Sequence, residues 1–167
     1  MRVLGVDPGF ATMGVAVVER DGGALRALSI GALRSPRGGT QAARLAYLWR
    51  EVAALIDELS PDVMAIERVF FNANVRTAMA VGQSSGVALA AAAQAGLEVH
   101  EYTPPEVKQS VVGVGNASKQ QVQTMVAAVL GLGTPPEPPD AADACALAIC
   151  HINRGGLAAA LAKQVAR

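Results

Sequence analysis

The chain has little histidine or cysteine, two of each in 167 residues. That leaves no four-cysteine or histidine-rich set to hold zinc. The cysteines, Cys145 and Cys150, stand five apart in a predicted helix, where their side chains point in different directions, so two buried free thiols are expected. Aromatic residues make up only 4%. No apolar run reaches the roughly 18 residues of a membrane span; the longest candidate, Val87 to Gly96, is short and contains Gln94. Asp7 interrupts the first apolar run before a secretory h-region could form, so a cytoplasmic protein with no membrane partner is expected. Nor is either sign of charge in excess. Fourteen basic and fourteen acidic side chains sum to zero, which by itself argues against a nucleic-acid partner.

What is present is a core. At 51% hydrophobic residues, mostly Ala, Val and Leu, the chain suits one domain, expected over residues 1–153, with 154–167 as a Gly-Gly-led, Ala-rich tail of marginal helicity. Val3 to Val6, Gly14 to Glu19 and Leu25 to Leu33 read as strands, and Asp21-Gly22-Gly23 between the last two is a hairpin signal, so the opening is an antiparallel meander. Thr40 caps a helix with Leu45, Leu48, Trp49, Val52, Leu55, Ile56 and Leu59 at helical spacing, which makes Trp49 a core residue.

Val63 to Ile66 is the fourth strand, and the loop after it carries Phe70 and Phe71. Val75 to Ala95 is a helix rich in small residues; Gly82 and Gly86, one turn apart, predict close approach of another backbone, from the same subunit or a partner. Leu97 to Tyr102 is the fifth strand. Thr103-Pro104-Pro105-Glu106 forms a capping box that opens a short helix with Lys108, and a further helix runs from Lys119 to Leu130 with Val122, Met125, Val126 and Val129 inward. Four prolines between Gly133 and Pro139 impose an extended connector before the last helix.

Two apolar strands end on acids, the first on Asp7 and the fourth on Glu67, while Asp140 and Asp143 share one face of the last helix. Two aspartates in a first turn are also what the helix dipole favours. A carboxylate at the end of a buried strand is costly without a cation beside it. Four grouped together would repel each other, whereas around divalent ions they form a hard oxygen site suited to Mg²⁺ or Mn²⁺ and a substrate phosphate. His100 and His151 are expected to be structural. Gly9, two residues after Asp7, would leave room for such a phosphate.

The segments Gly5-Val6-Asp7-Pro8-Gly9, Ala65-Ile66-Glu67-Arg68-Val69-Phe70, Val107-Lys108-Gln109-Ser110-Val111-Val112-Gly113 and Asp140-Ala141-Ala142-Asp143-Ala144 resemble, in order, the bacterial RuvC family of Holliday-junction resolvases. The resemblance implies an α/β RNase H-like fold: a mixed five-stranded sheet, with an antiparallel three-stranded opening and then parallel strands, flanked by helices. It implies a homodimer that nicks four-way junction DNA symmetrically, using Mg²⁺, with two ions per subunit and Mn²⁺ as a substitute, and working with a branch-migration helicase. Asp7, Glu67, Asp140 and Asp143 match the catalytic, metal-binding acids. Phe70 matches the aromatic that stacks on junction bases, and Lys108 and Lys119 match DNA-contacting lysines. Arg68 and Arg76 are added here as candidate phosphate contacts.

Two divalent ions would raise the formal charge to about +4 per subunit, which answers the charge objection. Three other readings remain open on the sequence. Asp7-Pro8-Gly9 also resembles the phosphate loop of sugar-kinase and actin-like ATPases, although no second such loop follows. The acids alone also suit a nuclease acting on RNA or an RNA–DNA hybrid, and a junction-binding module without cleavage would need only the basic residues.

Overall fold

The computed structural model describes residues 1–69 and 75–165, with side chains through 155. The expectation for Phe70 and Phe71 therefore lies outside the described residues. Strands β1 (Arg2–Asp7), β2 (Thr12–Asp21) and β3 (Ala24–Arg34) form the expected antiparallel meander, its hairpin turned by Gly22 at φ +59°. Helix α1 (Gln41–Leu59), capped by Thr40, leads to β4 (Val63–Glu67). Helix α2 (Val75–Gln94) then leads to β5 (Glu98–Tyr102). Helices α3 (Pro104–Val112), α4 (Lys119–Leu130) and α5 (Pro139–Val165) complete the chain, and the tail expected from 154 begins within α5. The five strands lie in the order β3-β2-β1-β4-β5, with β1–β4 and β4–β5 parallel.

Strand periodicity sorts the side chains into two layers. Leu4, Val6, Met64 and Ile66 pack under α1 and α2, while Val3, Val63 and Ala65 face the layer of α3, α4 and α5. Gly5 lies on that second face, and a Cβ there would overlap the carbonyl oxygen of Ala144. The absence of that one carbon lets α5 lie directly on β1. Gly14 on β2 does the same against the carbonyl oxygen of Asp140. Residues 141, 142 and 144 to 150 are all buried beneath this contact, Cys145 and Cys150 among them as free thiols.

Two expectations are corrected and one is narrowed. Trp49 is only partly buried at the margin of its layer, because the innermost stripe of α1 is Leu48, Val52 and Ile56. Val129 is 37% exposed; Ala127 and Leu130 turn inward on α4 instead. Among the described residues Gly82 and Gly86 meet nothing outside their own helix within 4 Å, so the sheet is not the backbone they accommodate.

Candidate active site

In the parallel pairing of β1 with β4, Val6 stands opposite Ile66, so the next residues, Asp7 and Glu67, leave the sheet side by side at its carboxyl edge. Alternation puts both on the α5 face, since Val3 and Gly5 precede Asp7 there, and Val63 and Ala65 precede Glu67. Pro139 starts α5 above this edge and brings Asp140 and Asp143 onto the same spot. Burial pushes the Asp7 carboxyl up to about 7, with the charges of Glu67, Asp143 and Asp140 adding to it and Lys119 opposing. Glu67 is raised as well, first by burial and then by Asp143.

One cation answers these four acids. Lys119, the first residue of α4, donates from Nζ to Asp143 Oδ2 at 2.6 Å, and that bond raises its own pKa. Lys119 and Asp143 line, with Glu67 and Lys108, a cleft of about 250 Å³ whose walls include Val107, Val122 and Leu147. Two of the four expected basic contacts therefore sit at the acids. Arg68 is exposed, 3.9 Å from Glu101, and Arg76 is exposed on the first turn of α2.

The donor set suits a hard divalent cation. It is entirely carboxylate oxygen, and the raised Asp7 carboxyl marks negative charge that one ammonium does not balance. Among the described residues no three ligating side chains are drawn together into a closed metal cage. The four acids are neighbours by charge, with Asp143 engaged by Lys119.

A second group of residues holds the turn that follows Asp7. The buried Ser35 donates from Oγ to the Phe10 carbonyl at 2.6 Å. Arg44 of α1 donates to Ser35 Oγ at 2.6 Å and to the Phe10 carbonyl at 3.5 Å, and its guanidinium lies 4.1 Å from the centre of the Phe10 ring. Sequence reasoning passed over all three residues, which are far apart in the chain and carry no local motif. Gly9 serves this turn too. A Cβ on it would overlap the Thr12 carbonyl oxygen, so the missing side chain lets the turn close on its own backbone.

The two histidines lie together, away from the four acids' cleft. His151 Nδ1 shares a hydrogen bond of 2.8 Å with the Tyr102 hydroxyl, and its ring lies 4.6 Å from that of His100 at a tilt of 49°, with burial lowering its pKa.

Comparison with known proteins decides the family. The family model for crossover junction endodeoxyribonuclease RuvC matches residues 3–151, which include both acid-bearing strands and the start of α5. The chain belongs to the RuvC family. A crossover junction endodeoxyribonuclease RuvC from Chloroflexus aggregans is 57% identical over 151 residues, covering 90% of this chain and 92% of the relative. The RuvC of Moorella thermoacetica is 52% identical over 153 residues, covering 92% of each. Thermus thermophilus RuvC in complex with a Holliday junction substrate superimposes with a TM-score of 0.90 at 33% identity, over 95% of this chain and 96% of that one. The fold is thus the RNase H-like fold of RuvC, with its mixed five-stranded sheet.

Proposed function

We propose that this chain is a structure-selective DNA endonuclease that resolves four-way junctions, with Asp7, Glu67, Asp140 and Asp143 as its catalytic acids. The observation that carries the reading is the convergence of two strand ends and one helix on a single acidic site in a chain of the RuvC family. In this reading the four carboxylates hold two Mg²⁺ ions, for which Mn²⁺ can substitute. Bound there, such ions supply an activated water and stabilise the leaving oxygen of an in-line phosphodiester hydrolysis.

The remaining roles belong to the chain's own side chains. Asp7, fixed by the β1–β4 register and by the Phe10 turn, sets the position of the scissile phosphate. Lys108 and Lys119 in the cleft, together with the exposed Arg68 and Arg76, contact the DNA backbone. Phe70 stacks on a junction base, an interaction worth about 1 to 3 kcal/mol.

A homodimer making paired, symmetric nicks would use the outer face of α2, where Val75 and Met79 are 71% and 58% exposed in line with the open Gly82 and Gly86. A branch-migration helicase as partner rests on the family resemblance alone, and a cytoplasmic location on the apolar pattern of the sequence. The deciding experiment compares cleavage of four-way junctions, linear duplexes and RNA–DNA hybrids in Mg²⁺. Paired nicks confined to the junction support the proposal, and preferential cutting of the hybrid overturns it.

A further inference from the structure

We propose that Lys119 is a resident counter-ion of the metal-free site, which divalent metal displaces from Asp143 and thereby releases toward DNA. This rests on the reading of the four acids as metal ligands. Lys119 Nζ lies 2.6 Å from Asp143 Oδ2, and the charge of the same ammonium is felt by Asp7, Glu67 and Asp140, so it opposes the charge that a metal ion would neutralise. Among the described residues no three ligating side chains form a closed set, and Asp143 is already engaged by Lys119.

The lysine is free to leave. Its side chain is 58% exposed whereas that of Asp143 is 26% exposed, and its stem starts at the first residue of α4, beside a Ser118 cap that holds the helix without it. An ammonium on a flexible stem exchanges partners at low cost, and once off Asp143 it opens into the cleft that already contains Lys108. Metal therefore does two things to DNA affinity: it cancels acidic charge, and it frees one positive side chain that the acids otherwise consume. Lys119 is a positioning residue for Asp143 in the metal-free protein and a phosphate contact in the loaded one.

The test is Mn²⁺ binding to the whole chain without DNA, followed by calorimetry, for the parent protein, Lys119→Met and Lys108→Met. Removing the competing ammonium should tighten Mn²⁺ binding by Lys119→Met about threefold or more, the size of a partly exposed ion pair, with a smaller change for Lys108→Met. Unchanged or weaker binding by Lys119→Met overturns the inference, as does equal tightening by both variants, which would make the effect one of overall charge.

Mn²⁺ binding by the parent that Asp7→Asn leaves untouched would instead remove the metal-site reading, and the inference with it. In a second measurement, Lys119→Met should weaken junction binding by a larger factor in saturating Ca²⁺ than in EDTA. A larger loss in EDTA contradicts release of the lysine.

Discussion

Asp7 and Glu67 are sixty residues apart in the chain and adjacent in space, because Val6 and Ile66 pair in parallel register just before them. Two like charges leave a buried edge together, and the molecule bears the cost in its own stability.

That cost is measurable in the metal-free protein. The folded-state pKa of Asp7, about 7, lies above its ordinary value of 3.8. The folded chain thus binds this proton more tightly than the unfolded chain, and the contribution of Asp7 to stability is full below its ordinary value of 3.8 and is lost as pH rises through about 7. Between pH 6 and pH 8 this single group removes about 1.4 kcal/mol, and on the order of 4 kcal/mol by full ionisation. Thermal melts in EDTA should therefore give a lower Tm at pH 8 than at pH 6, and Asp7→Asn should be the more stable protein at pH 8. The same variant should keep junction binding while its cleavage falls by at least about a thousandfold, as loss of a central catalytic group does.

Gly14 separates positioning from composition. Gly14→Ala leaves every acid in place but sets a methyl against the Asp140 carbonyl, so α5 must move. An overpacked contact of this kind costs about 1 to 3 kcal/mol. Cleavage should drop by more than tenfold at a temperature where circular dichroism still reports a folded protein. Full activity would mean that the placement of Asp140 on the sheet is not needed.

Arg44 holds the Phe10 turn that follows Asp7. Arg44→Ala deletes three hydrogen bonds and the ring contact, an expected loss of about 1 to 2 kcal/mol in stability. Its turnover should fall with little change in junction affinity. Arg44→Lys, which keeps the charge and loses the fork, should recover only part of that turnover.

Metal should control affinity as well as catalysis. Four-way junction binding followed by gel shift should be weak in EDTA and tighter in Ca²⁺, because divalent charge neutralises the acids that oppose the DNA. Equal affinity in both would contradict a metal-filled acidic site.

Phe70→Ala should leave linear-duplex binding nearly unchanged and slow junction cleavage. Unaltered cleavage would assign the ring to packing only.

The sequence by itself determined the elements and the identity of the acids. Alternation in Val3 to Val6 and Val63 to Ile66, the Thr103–Glu106 capping box and the helical spacing of α1 are local signals, written in neighbouring residues. So was the oddity of Asp7 and Glu67, each a charge at the end of an apolar run. Local signals also misplaced Val129 and Trp49, since periodicity gives a helix its face but not the depth at which that face is buried.

Only the tertiary structure decided what the acids meet. The strand order that places β1 beside β4, the contact of α5 with Gly5 and Gly14, the Ser35–Arg44 hold on the Phe10 turn and the engagement of Asp143 by Lys119 join residues far apart in the chain. Such contacts depend on how whole layers pack, and no window of sequence contains both partners.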